Sequence, residues 1–230
     1  MSISIIIPVL HEQERINGLI EHLKGQGAWV KGQEKHGLEI IVVDGDPQGS
    51  TTATIIDREV IGITATKGRG NQLAAGVEVA TGSSILMLHA DTLLPDNGLQ
   101  AVTGAVANGT GWGAFRLGID SPELAYRMIE RFVDLRCKLF ALPYGDQAIF
   151  VTRTALESIG GIPPLPLMED VELARRLRTA GTHFTLLPQR VRTSARRWKN
   201  DGILRRTLKN WLLLLRYTAG ADSKKLSRNY

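Results

Sequence analysis

Short apolar runs that end near a polar or acidic residue recur along the first half of the chain. ISIIIPV, residues 3–9, is β-branched and closes around Pro8. LEIIVVDGD, residues 38–46, meets Asp44 as its apolar stretch ends, and Glu59 to Thr66 makes a third run. Ile85-Leu86-Met87-Leu88 is continuously apolar before the chain turns polar at His89-Ala90-Asp91-Thr92. Runs of this kind predict strands covered on both faces. Between them the spacing changes to three and four. Ile16, Leu19, Ile20 and Leu23 mark a helix from about Glu12 to Gly25 and Gly27, and Gln72 to Ala80 reads as a second helix of small residues. Strand and helix alternating in this way predict right-handed βαβ units and a mostly parallel sheet, an α/β fold.

The second half is less regular. Asn97 to Asn108 reads as a helix, Gly113 to Ile119 as a strand, and Gln147 to Thr152 as another. Pro122 to Leu142 predicts a long helix with Leu124, Met128, Ile129, Phe132, Leu135 and Leu139 as its apolar positions. Pro163-Pro164-Leu165-Pro166 leads to Glu169-Asp170 at the start of a helix ending near Gly181. No internal repeat or inter-domain linker interrupts the chain.

Composition narrows this picture. A chain of 230 residues that is 43% hydrophobic can bury one large core. Its single cysteine, Cys137, excludes an internal disulfide framework and a cysteine zinc site, which fits a reducing compartment. Met1 is followed at once by an apolar strand rather than a basic leader, and no apolar run nears the ~20 residues of a membrane span. A cytoplasmic protein is therefore expected. Charge is uneven: residues 190–230 hold 12 of the 28 Lys and Arg but two of the 23 acids. That basic end is either a solvated tail or the mark of an anionic partner.

Ligands of open α/β sheets sit at the carboxyl ends of the strands. Asp44 and Asp91 fall there, and Asp170 stands at a helix start behind a proline-rich loop. Taken singly, each is also an ordinary turn or cap residue. Asp91 is placed to hold a hard cation, which takes one or two carboxylates plus phosphate oxygens. Lys67-Gly68-Arg69-Gly70-Asn71 reads as a basic glycine loop, either a pyrophosphate neighbour or a solvated turn. His89 is either a ligand-side imidazole or a partly buried structural histidine.

Taken together, these segments resemble the family-2 glycosyltransferases of the GT-A fold. Pro8-Val9-Leu10-His11-Glu12 is similar to the family's "PxxNE" strand end, and Val42-Val43-Asp44-Gly45 to its "VVDDGS" nucleoside motif. His89-Ala90-Asp91 stands where the metal-binding DxD lies. Glu169-Asp170 resembles the "ED" that supplies the catalytic base, and Arg197-Trp198 the end of "QxxRW". The resemblance covers about residues 1–200. Within the family it is nearest to a small cytoplasmic branch associated with radical-enzyme and arsenosugar-biosynthesis loci.

What the resemblance implies is an inverting, Mn²⁺- or Mg²⁺-dependent transfer from a nucleotide-diphospho-sugar, with UDP favoured, to a small-molecule or lipid-linked hydroxyl. It assigns the metal to Asp91 and the acceptor proton to Asp170, with Glu169 as the other candidate base. Pro8, Glu12, Asp44, Lys67, Arg69, Asn71, His89 and Asp91 form the donor side. Arg197 and Trp198 are placed on the acceptor side, and so are Asp146 and Gln147, from a turn that precedes a strand; on sequence grounds alone Asp146 is rather an ordinary turn residue. His89 replaces the first Asp of DxD, so metal binding rests on Asp91. Ser194-Ala195-Arg196-Arg197-Trp198 lacks the QxxRW glutamine, which argues against processive polymer synthesis. A nucleotidyltransferase is the alternative enzyme, but the acidic turn after the first strand is a poor triphosphate cradle. A non-catalytic membrane-surface or scaffold protein is the alternative of another class. Nucleic acid is not an expected partner, and a homo-oligomer is compatible with the pattern.

The last segment, residues 201–230, is expected to form a basic amphipathic helix and tail beside a catalytic domain of residues 1–200. Ile203, Leu204, Leu208, Trp211, Leu212 and Leu215 recur at helical spacing from Asp201 to about Ala219, with Arg205, Arg206, Lys209 and Arg216 beside them. The pattern suits a membrane-interface helix. Burial against the domain or in a dimer accounts for it without any lipid and is the favoured expectation.

Overall fold

The computed structural model describes residues 1–27, 37–195, 202–221 and 223–227. The predicted runs become β1 (Ile3–Val9), β2 (Leu38–Asp44), β3 (Ile61–Thr64) and β4 (Ser84–Met87). They are joined by α1 (Gln13–Gly27) and α2 (Arg69–Val79), with a 3₁₀ turn at Thr52–Thr54. The remaining strands are β5 (Thr92–Leu93), β6 (Trp112–Asp120), β7 (Phe150–Thr152) and β8 (Phe184–Ser194). Helices α3 (Gly98–Ala107), α4 (Leu124–Phe140), α5 (Arg153–Ser158) and α6 (Glu169–Thr179) lie among them, and α7 (Ile203–Thr218) and α8 (Ser223–Ser227) follow.

All eight strands form one sheet in the order β3-β2-β1-β4-β7-β6-β8-β5. β1 pairs in parallel with both β2 and β4, and β2 with β3. Beyond β4 the sheet is mixed: β7 is antiparallel to β4 and β6, whereas β8 is parallel to β6 and antiparallel to β5. The chain winds outward from β1 through β2 to β3 and then returns to the other side of β1 as β4. That reversal opens a crevice at the carboxyl ends of β1 and β4.

Alternation along each strand builds two cores, one on each face of the sheet. Ile5 and Ile7 of β1 join Val42, Leu86 and the α1 stripe Ile16, Leu19, Ile20 and Leu23. Ile6 faces the other way, with Ile41, Val43, Ile85 and Met87, and is covered by Leu73 of α2 and by Leu173, Ala174 and Leu177 of α6. At β1, β2 and β4 both faces are buried, so these strands are apolar at nearly every position.

One expectation needs correction: the basic glycine loop is shorter than predicted, because Arg69 to Asn71 already form the first turn of α2. In α4 most of the apolar stripe faces outward. Leu124, Met128, Phe132, Leu135 and Leu139 are exposed, whereas Ile129 packs inward and Tyr126, Glu130 and Cys137 are buried. The inward face is held by ion pairs: Glu130 meets Arg127 (2.8 Å), and Asp134 meets Arg190 (2.8 Å).

Candidate active site

Three loops at the carboxyl edge of the parallel strands meet two segments from the second half. The loop after β1 carries His11 and Glu12, the loop after β2 carries Asp46 to Thr51, and the loop after β4 carries His89 to Asp91. Opposite them are the turn Tyr144–Gln147 and the N-terminus of α6 with Glu169 and Asp170. Three non-glycine residues with positive φ sit at these places: His11 (56°), Ala148 (47°) and Met168 (65°). Left-handed backbone at such residues costs on the order of 1–3 kcal/mol each and is retained where the surroundings fix it.

On the nucleoside side, Asp44 is fully buried. Its Oδ1 accepts the Asp46 N–H (3.0 Å), and its Oδ2 accepts those of Thr51 (2.7 Å) and Thr52 (3.2 Å). Asp44 therefore holds the loop that borders this end of the crevice. Other polar groups there are less buried. His11 Nδ1 lies 3.3 Å from Ser50 Oγ and 4.0 Å from Asp46 Oδ2, and Glu12 pairs with Arg15 at 2.6 Å. Hydrogen bonds from Ser50 and Gln48 lower the Asp46 pKa. Sequence reasoning passed over Asp46 and His11; the second acid of VVDGD was the available signal. Pro8 sits within β1, opposite Val43.

The expected phosphate cradle is also altered. The backbone of the proline loop covers the first turn of α2: Gly70 N–H donates to Leu165 O at 3.1 Å. A Cβ at Gly70 would lie 2.4 Å from that oxygen, so only glycine fits under the loop. Asn71 Nδ2 caps Lys67 O (3.2 Å), and Arg69 pairs with Glu169 through Nε and Oε1 at 2.9 Å. Lys67 remains exposed.

At the centre, Gly145 N–H donates to Asp170 Oδ2 at 2.8 Å, and Val171 N–H donates to Asp170 Oδ1 at 2.8 Å. His89 packs on the same glycine, since a Cβ there would be 2.8 Å from His89 Nε2. His89, Gly145, Glu169 and Asp170 line one small cavity with Met87 and Leu88. Glu169 is buried, and its Oε2 has no hydrogen-bond partner. Burial raises its pKa to about 7, against the pull of Arg69 and with a further push from Asp170. Asp146 is raised to about 6, first by burial; Arg136 and Arg69 oppose the shift, while Asp170 and Asp91 add to it. Four carboxylates and two guanidinium groups thus share one low-dielectric neighbourhood.

Gln147 ends the turn that carries Gly145 and Asp146. It is fully buried, where its Oε1 accepts from Arg136 Nη2 (2.9 Å) and Tyr144 N–H (3.1 Å) and its Nε2 donates to Phe115 O (3.0 Å). It fixes the turn that carries Gly145 and Asp146. Arg136 also covers the Tyr144 ring, 3.5 Å above its centroid. Asp91 is half-buried, and its side chain receives a long contact from Thr92 Oγ1 at 3.5 Å. Its backbone oxygen accepts the N–H of Ser194 at the end of β8 (3.2 Å). Arg197 and Trp198 lie outside the described residues. Among the described residues no three His, Cys, Asp or Glu side chains gather into a metal cage. A hard cation bound through one or two carboxylates and substrate phosphates needs no such cage, so the donor set fits that mode.

Solved structures with the same fold are numerous. TarS of S. aureus (residues 1–349) superposes with a TM-score of 0.62 at 14% identity, over 85% of this chain and 61% of that one. The mannosyltransferase PcManGT of Pyrobaculum calidifontis, solved with GDP-Man and Mn²⁺, gives 0.65 at 18%, over 83% and 56%. Glucosyl-3-phosphoglycerate synthase of Mycobacterium tuberculosis, with Mn²⁺, UDP and phosphoglyceric acid, gives 0.55 at 14%, over 84% and 69%. This chain therefore spans little more than half the length of the first two, and the likeness establishes the GT-A fold. A search of curated protein sequences returns no match. The family model described as Glycosyl transferase family 2 matches residues 4–154, about two thirds of the sequence, and the chain belongs to that family.

Proposed function

We propose that this protein transfers a glycosyl unit from a nucleotide-diphospho-sugar to a hydroxyl acceptor, with inversion at the anomeric carbon. The observation that carries this reading is the placement of Asp170. Two backbone N–H groups fix its carboxylate, and it faces the switch-point crevice beside His89 and Gly145. A carboxylate fixed there takes the acceptor hydroxyl proton as the acceptor oxygen attacks the anomeric carbon and the bond to the nucleoside diphosphate breaks. General-base assistance of this kind is worth ~10²–10⁴-fold in rate.

The chain's other residues divide the remaining work. His11, Glu12, Asp46 and Ser50 border the nucleoside end, and Lys67 supplies a cation toward the diphosphate. UDP is the proposed nucleotide; structural relatives solved with UDP and with GDP-Man support the nucleotide-sugar class. Asp91, with Asp146 within electrostatic reach, would hold Mn²⁺ or Mg²⁺ together with the donor phosphates. Such a cation, when bound, stabilises negative charge on the departing diphosphate. Glu169, tied to Arg69, sets the position of the α6 N-terminus and the charge around Asp170. Asp146, Tyr144 and Arg136 face the acceptor end.

Asp170→Asn tests the assignment. Donor affinity should stay within about twofold while transfer falls at least ~10²-fold, because the lost interaction belongs to the transition state. Wild-type transfer by Asp170→Asn, with loss in Glu169→Gln, would reverse the two roles.

A further inference from the structure

The outward face of α4 is a feature that the proposed transfer reaction leaves unused. Leu124, Met128, Phe132, Leu135, Leu139 and Phe140 are each between 51% and 81% exposed. The first five recur at spacings of four, four, three and four, which makes one continuous stripe about 22 Å long on a helix of 17 residues. The helix has apolar residues on both faces, with Tyr126, Ile129 and Cys137 turned in beside its acids. Its two acids, Glu130 and Asp134, face the body and pair with Arg127 and Arg190. Its two exposed cations, Arg131 and Lys138, lie along one edge of the apolar stripe. The outward face of the helix therefore carries positive charge and no negative charge. A stripe of this size on a monomer marks an interaction surface.

We propose that α4 is a membrane-docking helix that seats its apolar stripe in the interface of an anionic bilayer. A helix lying in an interface needs an apolar face with basic residues beside it, and Arg131 and Lys138 supply them here. A second copy of the chain is the poorer occupant. Two such faces paired antiparallel about a twofold axis would bring the Arg131 and Lys138 edge of one copy against the same edge of the other, without an acid on either face to compensate. The orientation also has a consequence for the site. α4 leads directly into Tyr144–Gln147, so docking sets the turn carrying Gly145 and Asp146 close to the bilayer surface. The sequence placed the membrane question on the C-terminal helix; the structure moves it to α4.

The test is co-sedimentation of the full chain with phosphatidylcholine vesicles containing or lacking phosphatidylglycerol, which reads binding without reading activity. Binding should require the anionic lipid and weaken with salt. Met128→Ser/Phe132→Ser/Leu135→Ser should abolish it while leaving the circular dichroism spectrum unchanged, because all three side chains are exposed. Arg131→Glu/Lys138→Glu should weaken it at least ~25-fold, at about fivefold for each basic residue near an anionic surface. Absence of binding, or binding that survives the triple substitution, would overturn the proposal. A wild-type dimer that the triple substitution dissolves would overturn it in favour of an interface between copies.

Discussion

Glu169 shows how one residue reports on its surroundings. It is almost fully buried, faces one guanidinium, and its pKa is raised to about 7. An acid raised in the folded state binds a proton more tightly there than in the unfolded chain. Stability is therefore greatest below the ordinary glutamate range, falls as pH rises toward 7, and is level above it. Glu169→Gln removes that dependence. The melting temperature of the variant relative to wild type should rise between pH 5 and pH 8, by the equivalent of a few kcal/mol at most. A difference that does not change with pH would contradict the assignment. Gly145 makes a second case: Gly145→Ala pushes a methyl group into His89, 2.8 Å from Nε2. Overpacking of that kind costs ~1–3 kcal/mol, and transfer should fall much further than stability, as steady-state rates and melting curves on one preparation would show. Asp44 and Gln147 mark the limit of sequence reading at this scale. Both were singled out by position, but the groups that bind them come from elsewhere: Thr51 and Thr52 for one, Phe115 and Arg136 for the other. A motif gives a residue's address; the partners that occupy its oxygens appear only when the chain is folded.

Among the elements, β1, β2 and β4 were readable because burial on both faces leaves a continuous apolar run, a signal that needs no knowledge of the partner. α4 was readable as a helix, but the direction of its apolar stripe was not. Periodicity shows that one face is apolar, and the ion pairs that turn that face outward join Asp134 to Arg190, 56 residues away. The proline loop was readable as a break but not as a lid on α2. Its backbone closes over Gly70 so tightly that a Cβ would meet the Pro163 oxygen at 2.5 Å and the Leu165 oxygen at 2.4 Å. Gly70→Ala should therefore destabilise the fold by ~1–3 kcal/mol, since backbone cannot give way as a flexible side chain can. A denaturant midpoint unchanged from wild type would show that the loop is more loosely held than this.

For the molecule as a whole, the C-terminal segment matters through the loop it covers. Leu213 of α7 and Leu226 of α8 pack on Leu167, Ser223 Oγ donates to Leu167 O (2.5 Å), and Tyr217 OH reaches Glu172 (3.3 Å). Leu167 stands two residues before Glu169, so the segment bears on the catalytic end of α6. Truncation after Asn200 should give an aggregating or destabilised product. No described helix is long and apolar enough to cross a membrane, and the Trp211 side chain lies outside the described residues. The account rests on one crevice binding a nucleotide-sugar through a cation at Asp91, and calorimetry tests that directly. Titrating UDP-sugars and GDP-sugars into the full chain with Mn²⁺ and with EDTA should show at least one donor that binds tightly with the cation. Its affinity should fall at least ~10-fold in EDTA and to the same level in Asp91→Asn. Equal binding in Mn²⁺ and EDTA, or an Asp91→Asn variant that keeps the full metal dependence, would contradict it.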